Sequence, residues 1–279
     1  YKRQVVRGYA WITVDNLVER GVITKEDSTL FLKLLDSEDE DTVSKAWYVV
    51  ARLLMKGIVP VEEVRRRKGS LFKLLTSEDE KARESAWYST RLLVEAGAMD
   101  YEDSNVFLSL LGSQVEDIRF RAWALVKPLV EKGVLLNVLI RPRKYIFLEL
   151  LDAQNEEVRA HAWGVVDALV DLGVVTREEV RLRKCQFFKL LESRDLITRW
   201  HAWSSAVDLI SKGVITREEV EQKVAYFLEV LESGNVLIRC IALREARALV
   251  DRGILRWSEI QEASHKTEEL CKRVGLLGP

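Results

Sequence analysis

LLDAQNEEVRAHAWGVVDALVDLG, Leu150 to Gly173, carries the start, the buried face and the stop of one amphipathic helix. Asn155 is a good N-cap, because its side-chain oxygen takes up a free amide of the first turn. Val158, Ala162, Val165 and Leu169 then fall on a narrow arc at 100° per residue, which predicts a core-facing stripe. Gly173 ends the helix by supplying a residue that adopts the left-handed conformation at little cost.

The same segment recurs along the chain. Its landmark Trp163 has counterparts at Trp11, Trp47, Trp87, Trp123 and Trp203, each after an alanine, and Ala242-Leu243 holds the next place; the spacings are 36, 40, 36, 40, 40 and 40. Ten residues after each landmark comes a glycine, at 21, 57, 97, 133, 173, 213 and 253. Capping positions recur at Asp39, Asp79, Asn155, Asp195 and Asn235, with Val115 in that place in one copy. After the glycines, Thr24 to Asp27, Thr176 to Glu179, Thr216 to Glu219 and Ser258 to Gln261 read as capping boxes, so a second kind of helix begins there. It passes through Phe31, Leu71, Phe107, Phe147, Phe187 or Phe227 and ends in Leu-Leu or Val-Leu. Each unit is therefore a helix pair, the first helix about 10 to 17 residues and the second about 18, and no period-two alternation predicts a strand. Pro128 falls inside a second helix and predicts a local kink.

This pattern of Leu-Leu, a capping Asp or Asn, Val-Arg and then Ala resembles the HEAT-repeat family, over essentially the whole chain. The arginine of the pattern stands at Arg7, Arg83, Arg119, Arg159, Arg199 and Arg239, with Val43 as the exception. The resemblance implies an all-α fold, a right-handed α-solenoid of about six to seven HEAT-like two-helix repeats, with the second helices lining a concave face. Stacking is physically required, because one helix pair cannot bury its apolar face alone. The expected organisation is a single domain, 1–279, with a partial repeat at 1–21, repeats at about 22–57, 58–97, 98–133, 134–173, 174–213 and 214–253, and a capping helix at 258–274.

Composition narrows the function. The chain has 43 basic and 44 acidic side chains, a net charge of −1 and 48% apolar residues, so it can build a core and lacks a global attraction for phosphate. No apolar run is long enough for a membrane span and no signal segment opens the sequence. Cys185, Cys240 and Cys271 form no C-x-x-C pair and suggest neither a disulfide framework nor zinc, which fits a reducing, cytoplasmic setting. Asn and Gln total only 11, a usage resembling that of thermostable proteins. Nucleotide-loop and nucleophile motifs are missing, so no cofactor and no metal is expected, and His161 and His201, in equivalent places of adjacent units, are two ligands short of a zinc site.

The repeated tryptophans read as spacers between repeats, and the arginine four residues earlier as a structural ladder bonding the cap, the indole or a neighbouring carbonyl. Candidate partner-binding residues lie three before and one, four and eight after the landmark, where a solvated face would be polar. Those places hold Tyr48, Tyr88, Arg91, Phe120, Lys127, Trp200 and Arg244, together with Cys240 and Met55. Aromatics and arginines grouped on one surface are the makings of a protein-interaction hot spot, so the first reading is a non-catalytic scaffold or adaptor with a protein partner. The alternative is a nucleic-acid-binding HEAT-like protein, in its extreme form DNA-glycosylase-like, with Asp167 or Asp208 beside Trp200 and Arg244. Basic clusters at residues 65–68, 141–144 and 181–184, with Lys223, read either as a phosphate strip or as a solvated face paired with acidic neighbours.

Overall fold

The computed structural model describes residue 14 and residues 16–273. Among these every regular element is helical. The chain divides into two compact units, one running through Ser113 and adding Leu125–Leu136, the other made of Gln114–Ala124 and the chain from Asn137 onward.

In the first unit the helices Glu40–Met55 and Glu80–Glu95 pack side by side. Each starts where the sequence places a cap: Asp39 accepts from the amide of Thr42, and Asp79 from those of Lys81 and Ala82. Before them run Lys25–Leu34 and the pair Val61–Arg65 and Lys68–Leu74. In the second unit Asn155, Asp195 and Asn235 cap Glu156–Trp163, Leu196–Ser211 and Val236–Asp251 in the same way. All seven landmark glycines have φ between +63° and +73°, and no other described residue has positive φ, so the stop signal acts through the left-handed conformation that glycine tolerates best.

The core follows the repeat. Trp47, Trp87, Trp123, Trp163 and Trp203 are buried. In the second unit Trp123, Trp163 and Trp203 meet Phe147, Phe187 and Phe227 of the following repeat at 5.3, 5.2 and 5.1 Å. Each indole removes about 200 Å² from water, worth about 5 kcal/mol before entropy is counted. Trp87, Trp163 and Trp203 also donate Nε1–H to the carbonyls of Leu75, Leu151 and Leu191, so burial leaves no polar cost there. Trp11 and Arg7 lie outside the described residues.

The arginine ladder closes mainly on its own repeat. Arg83, Arg159 and Arg199 donate to the carbonyls of Ser77, Ala153 and Ser193, six residues earlier, tying the inter-helix turn to the second helix. Arg199 also reaches onward, to Glu229 at 2.6 Å and the carbonyl of Tyr226.

The structure departs from the sequence reading at five places. The longer first helices are each broken, as in Arg177–Arg181 and Lys184–Leu191 or Arg217–Glu221 and Val224–Leu231. Second helices span sixteen residues where unbroken; Glu116–Ala124 stops four residues before Pro128, whose ring removes the amide that the Ala124 carbonyl would take. The helix read through to Gly173 is divided into Glu156–Trp163 and Val166–Asp171, and Val165 of the expected stripe is only half-buried while Val166 is buried. The box expected at Ser258 does not form: the last helix is Trp257–Arg273, and the amide of Arg256 donates to Glu259 instead. Finally, Cys240 and Cys271 are joined in a disulfide with Cα atoms 5.8 Å apart, so the cysteine pattern no longer argues for a reducing compartment; Cys185 is free and exposed. No described helix is long and apolar enough to cross a membrane.

Candidate functional site

The outward positions of the second helices divide between the two units. In the first, the residue after the landmark is tyrosine twice, and Tyr48 and Tyr88 meet with ring centroids 5.5 Å apart. Tyr48 accepts a hydrogen bond from Arg52 and is half-buried, whereas Tyr88 is 51% exposed. Met55 and Arg91 are exposed, Arg91 paired with Glu95, and Lys127 is exposed on Val126–Glu131.

In the second unit the position after the landmark is small: Ala124, Gly164 and Ser204. The space that a tyrosine would fill is left as a cleft of about 280 Å³, lined by these three residues and by Phe120, His161, His201, Ser205 and Asp208 among others. One wall is a continuous aromatic ladder. Phe120 stacks on His161 at 5.1 Å with the planes 4° apart, His161 meets His201 at 4.7 Å, and His201 meets Trp200 at 4.4 Å. Arg121 lies over the other part of Phe120 and is paired with Asp117 at 2.9 Å. The hydroxyls of Ser204 and Ser205 both donate to the carbonyl of His201, fixing that turn of the helix.

The ladder is electrically neutral at pH 7. Burial, and then the neighbouring His161, push the His201 imidazole down to about 4. Burial and the charge of Arg121 likewise lower His161. Charge enters the cleft through Asp208, whose pKa burial and the nearby Asp167 carboxylate raise. Neither carboxylate makes a hydrogen bond or ion pair with any described residue. No group of three or more His, Cys, Asp or Glu among the described residues is placed to hold a metal.

Of the residues singled out from sequence, Tyr48 and Tyr88 come together, and Phe120 and Trp200 stand at the two ends of the ladder. Two corrections concern exposure. Phe120 and Cys240 are buried, because the position three before the landmark faces its neighbour: His161 covers Phe120, and Cys271 is bonded to Cys240. Arg244 is exposed, 3.7 Å from Glu245, and does not line the cleft. His161, His201, Ser204 and Ser205 were not singled out as partner-binding; the equivalence of the two histidines between repeats was the available signal.

The basic clusters of the first helices are largely satisfied locally. Arg66 and Arg67 bond Glu63, Lys68 bonds Asp100 and Asp103, Lys144 bonds Glu179, Arg183 bonds Asp152, and Lys184 bonds Glu219. No protein-family model matches the chain, and no curated protein matches it significantly.

Proposed function

We propose that this chain is a HEAT-like helical-repeat protein of the right-handed α-solenoid class, acting by binding rather than catalysis, as a scaffold that takes a partner protein on the surface of its second helices. The observation that carries this reading is the register of the aromatic side chains. Side chains of consecutive second helices meet as Tyr48 with Tyr88 and as His161 with His201, each pair in matching places, and Phe120 and Trp200, one place earlier in their repeats, extend the second pair into a ladder. Stacked repeats offer such rows as extended binding surfaces, and partly exposed aromatics beside arginine are the usual centres of protein interfaces. The nucleic-acid alternative draws less support. Most first-helix cations are engaged in ion pairs, and the cleft presents the Asp208 carboxylate, which repels phosphate.

The full chain used as bait in a lysate of its source organism tests the proposal. A protein retained after nuclease treatment, and lost when Tyr48→Ala and Tyr88→Ala are combined with Trp200→Ala, is the expected result. Retention of nothing but nuclease-sensitive material would overturn it in favour of a nucleic-acid role.

A further inference from the structure

The cleft of the second unit has three properties that together define a ligand. Its wall is aromatic, with Phe120 and His161 stacked in parallel and His201 tilted 55° to His161. Burial lowers both imidazoles, His201 to about 4, so the wall carries no positive charge at pH 7. The Asp208 side chain lines the same cleft, and the Asp167 carboxylate repels its charge.

The neighbouring cations do not neutralise this pair by contact. Lys212 is bonded to Asp171 at 2.6 Å and Arg121 to Asp117, and Arg252 and Lys212 attract Asp208 only through space. Two like charges with no counter-ion in contact are an arrangement that a bound cation relieves. An uncharged aromatic and imidazole wall in a cleft that also holds a carboxylate suits one cation above others. The guanidinium of arginine is planar, stacks on aromatic and imidazole faces, and bonds a carboxylate through paired N–H groups. An ammonium matches the carboxylate but not the wall, and an anion is repelled. The cleft is also bounded by small side chains, so a long, thin side chain can enter where a tyrosine pair closes the corresponding place in the first unit.

We infer that the cleft lined by Ala124, Gly164, Ser204, His161, His201 and Asp208 is a receptor for one arginine side chain of the partner polypeptide, stacked on the imidazole ladder and bonded to Asp208. This deepens the scaffold reading and rests on it. It also assigns the second unit a specificity that the Tyr48 and Tyr88 surface does not share.

The chain has three histidines, of which His265 lies on the last helix outside the cleft, so imidazole resonances of the full chain give a resolved readout with an internal control. Titration with an arginine-containing tripeptide amide is expected to shift His161 and His201 but leave His265 in place. The same tripeptide with citrulline, equal in shape but uncharged, is expected to bind at least about tenfold more weakly. Asp208→Asn, at an exposed side chain, and Ser204→Tyr, which fills the cleft, are each expected to abolish the arginine-dependent shifts.

Equal binding of the citrulline peptide, or shifts unaffected by Asp208→Asn, would overturn the assignment. Free arginine binding as tightly as the tripeptide would give the cleft to a small-molecule guanidinium and would overturn the partner assignment. The two proposals fail separately. A nuclease-resistant partner that still binds the Asp208→Asn and Ser204→Tyr chains leaves the scaffold standing and removes the arginine receptor. An arginine peptide that binds while the lysate yields no protein partner removes the scaffold and leaves a guanidinium site.

Discussion

Cutting the link between Cys240 and Cys271 tests how the last helix is held. The two residues are 31 apart in sequence, and closing a loop of that length removes denatured-state entropy worth about 3.7 kcal/mol at 25 °C in the chain-entropy treatment. The helix Trp257–Arg273 keeps other attachments when the bond is broken. Ile260, Ser264, Thr267 and Cys271 are buried, Arg239 donates to the Thr267 hydroxyl at 3.0 Å, and Arg247 bonds Glu268 at 3.1 Å. Cys271→Ala is therefore expected to lower the unfolding free energy by about 3–4 kcal/mol without unfolding the repeats, and dithiothreitol to do the same to the parent chain. Guanidinium unfolding measures the loss, and hydrogen exchange should place it first in residues 257–271, the helix that the bond fastens. Titration of the denatured, non-reduced parent should count a single thiol, Cys185. Three thiols, or reduction that moves the unfolding free energy by less than about 1 kcal/mol, would refute the reasoning.

Other outcomes follow from single groups. His201, lowered to about 4 in the fold, binds fewer protons than in the unfolded chain between that value and about 6.5, so its contribution is present above this window and is lost as pH falls through it. With its partial solvent contact discounted, the loss is about 1–2 kcal/mol, and His201→Phe should flatten that part of a pH-dependent unfolding series. Arg199→Ala leaves the carbonyl of Ser193 without its donor and should cost about 2–3 kcal/mol in denaturant unfolding, with lysine a poor substitute because it lacks the fork that also reaches Glu229. Gly213→Ala meets no side chain closer than Arg177 at 4.0 Å, so its cost should be the left-handed backbone alone, about 1–2 kcal/mol by the same assay.

The helix boundaries were legible because each carries its own local chemistry. Asp39 or Asn155 at a start and Gly57 or Gly173 at a stop act within a few residues, and the structure uses each of them as the sequence suggests. The breaks in the first helices were not, since the residues at two of them, Leu182-Arg183 and Gln222-Lys223, are ordinary helix formers. The disulfide was hidden for a different reason: pairing Cys240 with Cys271 requires the last helix to return onto Val236–Asp251, and no spacing rule states that. At the site, helix periodicity placed Phe120 and Trp200 on the right side but set the angle of each side chain without the offset of its neighbour. It therefore gave them as exposed ends and passed over His161 and His201, which close the ladder between them.

The place immediately after the described landmark tryptophans holds Tyr48, Tyr88, Ala124, Gly164 and Ser204, with Arg244 after Leu243, while the landmarks themselves stay buried. On the proposed scaffold reading, recognition is thus written in one letter per repeat on a page that folds whatever the letter. Exchange or duplication of whole repeats, which preserves every cap, stop and buried indole, would then shuffle binding preferences like words in a sentence and leave the grammar of the fold untouched.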